Sequence, residues 1–192
     1  MSTRQTDLAA PHHAGGPPQP GPRPAWLKPR SGGLRAAQGA FLLGLLYAAV
    51  SVYWGLGGTG LLDTLGGSLE RQGTAGTTTV MLAVWAAAVL KMIAAVLPLL
   101  ARHRFTRTAW NRTLSVLAWT EAAILTTYGL ALSTVGLLVQ ADVVRASANA
   151  DHHALAWHAY FWDPWFLIWG LLVTVALLLH TRHRRPQAAA HG

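Results

Sequence analysis

Two ionisable side chains, Lys91 and Glu121, lie within long apolar runs of the chain. A charge surrounded by hydrocarbon is costly, and where one persists it has a partner or a task. In an antiparallel helix pair, residues equidistant from the turn share a depth. The midpoint of 91 and 121 falls at 106, inside the basic stretch Arg102–Arg112. At about 1.5 Å of rise per residue, the spacing predicts an intramembrane ion pair between Lys91 and Glu121. Such a pair would either lock a hairpin in register or serve a proton or cation relay. The alternative for Lys91 is to snorkel toward the cytoplasmic face. Thr120, Thr126, Thr127, Tyr128, Ser133 and Thr134 make the Glu121 segment polar, and Glu121 and Tyr128, seven apart, share a helix face. Hydroxyls in this setting ordinarily bond between helices.

A second group of residues sits outside the apolar runs. Tyr53 and Trp54 close the first run, and Gly57, Gly58 and Asp63 follow. Farther on, Trp157, His158, Tyr160, Trp162 and Asp163 approach the last run, with Phe161 and Trp165 among them and Trp169 deeper. An interfacial aromatic belt accounts for most of these rings. The polar groups mixed among them would suit a pocket at the outer rim. Asp163-Pro164 also reads as a helix N-cap with proline at the first position. Asp151, His152, His153 and His158 match no zinc spacing, so no metal is expected. His103, His180 and His183 lie among arginines and are expected at lipid headgroups. No nucleophile, nucleotide or haem arrangement is present, so neither a catalytic residue nor a cofactor is assigned.

The elements that must position these groups follow from hydropathy. The 192 residues are 52% hydrophobic and 11% charged, against about 25% charged in soluble domains. Cysteine is absent, which removes disulfide and thiol chemistry. Four apolar runs, about 36–54, 79–101, 113–139 and 165–181, are long enough to cross a bilayer as helices. The fold class is therefore all-α, a four-helix transmembrane bundle spanning 35–181, with two structured outer loops. Residues 1–34, with seven prolines and five glycines, read as a disordered tail, and 182–192 as a basic tail. A secretory signal peptide is not expected. The stretch Leu61–Leu65 suggests a short interfacial helix or re-entrant turn. Arg23, Lys28, Arg30 and Arg35 precede the first helix; Arg102, Arg104, Arg107 and Arg112 separate the second and third; Arg182, Arg184 and Arg185 follow the fourth. The other two loops carry only Arg71 and Arg145 beside Asp63, Glu70, Asp142, Asp151 and Asp163. This asymmetry predicts a multi-pass protein of the cell membrane with both termini cytoplasmic.

The string Val52-Tyr53-Trp54-Gly55-Leu56-Gly57-Gly58-Thr59, followed by Leu62-Asp63-Thr64-Leu65-Gly66-Gly67, resembles the opening of the DUF3995 family of small bacterial membrane proteins. Trp157–Phe166 is similar to that family's approach to its last helix. The resemblance covers roughly 36–181 and implies a four-helix membrane domain, without an activity. Glycines after a helix permit a left-handed turn and close approach, so the 55–67 loop is expected to fold back against Trp157–Trp165.

These readings point to an integral membrane protein binding a lipid, a small apolar ligand or a partner protein at its outer face. A membrane enzyme or transporter using Glu121 with Lys91 is one alternative, and a structural or assembly subunit another. Nucleic acid is not an expected partner: the basic residues flank apolar segments and form no patch of their own.

Overall fold

The computed structural model describes residues 32–102, 108–147 and 150–189, with side chains described for all of these except 68, 69 and 183–189. The tail at 1–31, including Arg23, Lys28 and Arg30, lies outside the described residues, as do His103, Arg104 and Arg107. The side chains of His183, Arg184 and Arg185 are likewise not described. The described residues are helical and contain no strand. Helix α1 is Gly32–Gly55, α2 Gly67–Ala75, α3 Thr78–Leu100, α4 Thr108–Gln140, α5 His152–Trp157 and α6 Asp163–Ala189, with a π turn at His158–Trp162 joining α5 to α6. Four helical stretches are long and apolar enough to cross a membrane, the last running from His152 to Arg182 through the π turn. They mark the chain as a multi-pass membrane protein.

Between helices in lipid the hydrophobic effect gives little, so close packing of small residues must hold them together. In α1 the buried positions Ala36, Ala37, Ala40, Gly44, Tyr47, Ala48 and Ser51 recur every three or four residues, a small-residue stripe. In α4 the corresponding stripe is Leu114, Ala118, Ala122, Gly129 and Ser133. Gly129 lies against the backbone of Leu167, and Gly170 against that of Thr126, so α4 and α6 meet main chain to main chain. A Cβ added at Gly44 would stand 2.6 Å from the Trp169 ring and 2.7 Å from the Ala95 Cβ. Ala95, Gly44, Trp169-Gly170 and Thr126 thus form one layer through all four long helices.

The packing order differs from the chain order. α1 lies against α3 and α6, and α6 against α4, while the consecutive helices α3 and α4 touch only sparsely. The large apolar side chains of α3 and α4, such as Leu82, Leu90, Ile93, Val116 and Ile124, are exposed to the surroundings. The start of α1 meets the end of α3 and of α6 where Gly33 faces Arg102 and Leu179; this is the arginine end of the bundle. The opposite, aromatic end carries the connections 56–66 and 141–151.

The helix ends shift from the sequence reading: α1 starts at Gly32 and α4 at Thr108, and α6 runs on to Ala189, into the segment read as a basic tail; three further differences each have a local reason. The last span begins at His152, not Trp165, because the Asp151 carboxylate caps it, accepting from the N–H groups of His153 (3.0 Å) and Ala154 (3.2 Å). Asp163 is therefore not an N-cap. Its backbone is right-handed helical and its N–H reaches back to the His158 carbonyl, a π-type bond that lets Pro164 enter without breaking the helix. The short helix in the first connection is at Gly67–Ala75 rather than at Leu61–Leu65, since Leu61, Gly66 and Gly67 all take positive φ and interrupt any helix before it.

The layer makes a direct prediction. Gly44→Ala should lower the thermal midpoint of the detergent-solubilised protein by the equivalent of about 1–3 kcal/mol, the usual cost of overpacking. Gly39→Ala, whose Cβ would rest at an ordinary 3.4 Å from Leu172, should change it little. Equal midpoints for the two variants would contradict the layer.

Candidate functional site at the aromatic end

The layer also fixes where Lys91 and Glu121 stand. Lys91 lies one turn from buried Ala88 and Ala95, and Glu121 one turn from buried Ala118, so both start from inward-facing positions. From the layer, Lys91 is four residues toward the aromatic end and Glu121 five residues toward the arginine end. At 1.5 Å per residue they are separated by about 14 Å along the bundle. The ion pair expected from the sequence is therefore not formed: among the described residues no carboxylate lies within 4.0 Å of Lys91. Lys91 instead donates from Nζ to Ser51 Oγ (2.8 Å) and sits 3.8 Å above the Tyr47 ring. Since Ser51 is seven residues beyond Gly44, the side chain reaches toward the aromatic end, away from the arginines. Equal distance from the turn does not give equal depth here, because α3 packs on α1 and does not form a hairpin with α4. Neither Glu121 oxygen has a hydrogen-bond partner among the described residues. Arg102 is the cation nearest its depth, and that guanidinium reaches the Ala176 carbonyl (3.4 Å).

At the aromatic end the 56–66 loop is fastened at several points. Gly58 lies flat against the Tyr53 ring, where a Cβ would not fit. The Gly60 N–H donates to the Tyr53 hydroxyl (3.2 Å), and the Trp54 indole N–H donates to the Gly60 carbonyl (2.8 Å). Farther along, the Thr64 hydroxyl donates to the Leu61 carbonyl (2.6 Å) and accepts from the Trp162 indole N–H (3.0 Å). Thr64 and Trp162 are both fully buried. Gly66 combines a positive φ with a backbone pressed on Ala154, two requirements that glycine alone meets. The glycine-rich loop and the tryptophan-rich segment are thus locked together.

Below the lock lies an aromatic stack. The Tyr47 ring is edge-on to Phe166 (4.9 Å), 5.6 Å from Trp162 and 5.9 Å from Trp165. Trp54 is 6.1 Å from Trp162. Phe161 is edge-on to Trp162 at 5.0 Å and 5.2 Å from Trp165. Asp163 is buried and its Oδ1 is 3.3 Å from His158 Nδ1. The Trp157 indole N–H is directed at His153 Nε2 (3.1 Å).

The junction of loop and aromatic segment is filled by its own side chains. A concavity lies beside it, an apolar groove of about 290 Å³ between α1 and the segment from the π turn into α6. Leu43 and Leu46 form one wall, and Tyr160, Phe161, Pro164, Trp165 and Ile168 the other. Of the pocket residues expected from the sequence, Tyr160 lines the groove. Trp162 and Asp163 are buried beneath it, and Tyr53, Trp54, Gly57 and Gly58 belong to the loop lock or its approach. Asp63 is exposed, while Trp157 and His158 are half-buried on the segment leading in. Tyr47 and Ser51 are absent from the residues the sequence singles out, and Thr64 enters there only within the Leu61–Leu65 stretch and the Leu62–Gly67 string, with no role of its own. The signal for the first two is their one-turn spacing on the buried stripe of α1; for Thr64 it is slight.

The strength of the lock can be measured. Trp162→Phe keeps the ring and removes the N–H donated to Thr64, and should cost about 1 kcal/mol while speeding amide exchange across residues 57–66. Thr64→Val should act on the same loop, and the two changes should combine less than additively. Additive effects would mean that the bond does not join them.

A family profile described as Protein of unknown function (DUF3995) matches residues 44–173 of the chain. That span runs from the mid-bundle layer, through the loop lock, to the inner face of α6, and the chain belongs to this family. No curated protein and no solved structure matches it.

Proposed function

We propose that this DUF3995 member is a lipid-binding protein of the cell membrane, holding an acyl chain in the groove between α1 and α6. The observation that carries the reading is the groove itself, apolar on both walls and backed by packed rings. Its volume of about 290 Å³ falls at the lower edge of the range for ligand pockets, about 300–1,000 Å³, which suits a length of chain rather than a bulky ring system. The wall is stiff because the Trp165 indole N–H is tied to the Leu43 carbonyl (3.3 Å) and Phe161 is wedged between two tryptophans. Rigid aromatic surface binds with little loss of side-chain entropy.

In this reading both termini are cytoplasmic and the aromatic end faces outward. The support is charge: Arg35, Arg102 and Arg112 flank the arginine end with Arg182, whereas Asp63, Asp142 and Asp151 lie in the connections of the other. The groove would then face the outer leaflet. The reading requires no reaction.

The test is mass spectrometry of lipid retained by protein purified in mild detergent. Leu46→Trp and Ile168→Trp would fill the groove from positions that are half exposed, so the bundle should tolerate them. Wild-type protein should carry a bound lipid, and each variant should retain several-fold less. A lipid-free wild type, or variants that retain as much as wild type, would refute the groove. An external C-terminus in reporter fusions would refute the orientation.

A further inference from the structure

The groove makes no use of Lys91, and among the described residues no carboxylate pairs with it. Lys91 Nζ donates to the neutral Ser51 hydroxyl and faces the Tyr47 ring, and no carboxylate is within ion-pair distance among the described residues. Asp163 is engaged by His158. Glu121 is separated by about 14 Å of helix rise. An ammonium within hydrocarbon is stabilised by an anion far more than by a hydroxyl and a ring face. It carries three N–H donors, and Ser51 takes one of them. The side chain is only partly buried, and α3 and α4 pack sparsely, which leaves Lys91 open to approach from the bilayer side. Tyr128, on α4, stands at nearly the same depth, two residues from the mid-bundle layer, with half its surface exposed.

We propose that Lys91, held by Ser51 and Tyr47, is an oxyanion-binding site inside the membrane, taking a phosphate or carboxylate. The anion is supplied either as the headgroup of an amphiphile entering between α3 and α4 or as a free ion. Ser51 and the Tyr47 ring aim the ammonium toward the aromatic end, so the site serves the leaflet on that side. The proposal is independent of the acyl groove, which lies on the other flank of α1.

The experiment uses the full chain in detergent with three probes: decyl phosphate, decylphosphocholine and inorganic phosphate. Decyl phosphate should raise the thermal midpoint saturably. Its apparent affinity should fall at least tenfold in Lys91→Met, fall less in Ser51→Ala and stay within about threefold in Lys91→Arg. Decylphosphocholine, with the same chain and no net charge, should bind at least tenfold more weakly. Saturable binding of inorganic phosphate that depends on Lys91 would assign the site to a free ion; dependence on the chain would assign it to an amphiphile. Leu46→Trp should leave the decyl phosphate affinity unchanged, which separates this site from the groove. The proposal is overturned if neither anion shifts the wild-type midpoint, or if Lys91→Met binds as wild type does. Should Lys91→Met fail to fold, equal binding by wild type and Ser51→Ala with no preference for decyl phosphate over decylphosphocholine would overturn it as well.

Discussion

Everything in this bundle depends on how closely α6 approaches α4 and α1 approaches α3 and α6. Lipid is as apolar as a leucine side chain, so burying leucine between helices gains little. What is gained comes from dispersion over a close contact, and Gly44, Gly129 and Gly170 remove the side chains that would prevent it. This contact fixes depth. Once Gly44 is set against Trp169 and Ala95, and Gly170 against Thr126, every other residue on the four helices has a defined level. The bulky aliphatic residues are left on the outside, chiefly on α3 and α4, where the bilayer covers them.

The aromatic end is built on the same register by different means. Here polar groups hold the structure: the Asp151 cap, the Trp162–Thr64 bond and the Tyr53 and Trp54 bonds to Gly60. Each satisfies a backbone or indole group that would be costly to leave unpaired near hydrocarbon. The π turn at His158–Trp162 is the adjustment that admits Pro164 while the span continues in one piece. It turns Trp162 inward to the lock and leaves Tyr160 outward at the groove.

Much of the architecture was legible in the sequence. Hydropathy marks four spans, and the Val52–Gly67 and Trp157–Phe166 strings mark the segments that meet. Partnership between helices was not legible. Apolar content says that a helix enters the membrane; it does not say which neighbour it takes, because that is decided by where small residues line up in three dimensions. Lys91 shows the consequence. With α3 assumed to pack on α4, Glu121 looked like its partner; with α3 on α1, Ser51 and Tyr47 are. The role of Asp163 was illegible for a related reason. Asp-Pro is a common helix start, and nothing in the local sequence says that a π turn will carry the helix through it, whereas Asp151 is the residue that caps.

The mid-bundle layer is most directly tested by disulfide cross-linking in native membranes, since the chain contains no cysteine of its own. A disulfide requires Cα atoms within about 7 Å. The pair Gly44→Cys with Ala95→Cys should cross-link under mild oxidation, and Lys91→Cys with Glu121→Cys should not. Efficient cross-linking of the second pair, with none in the first, would contradict the layer and return Lys91 and Glu121 to a common depth.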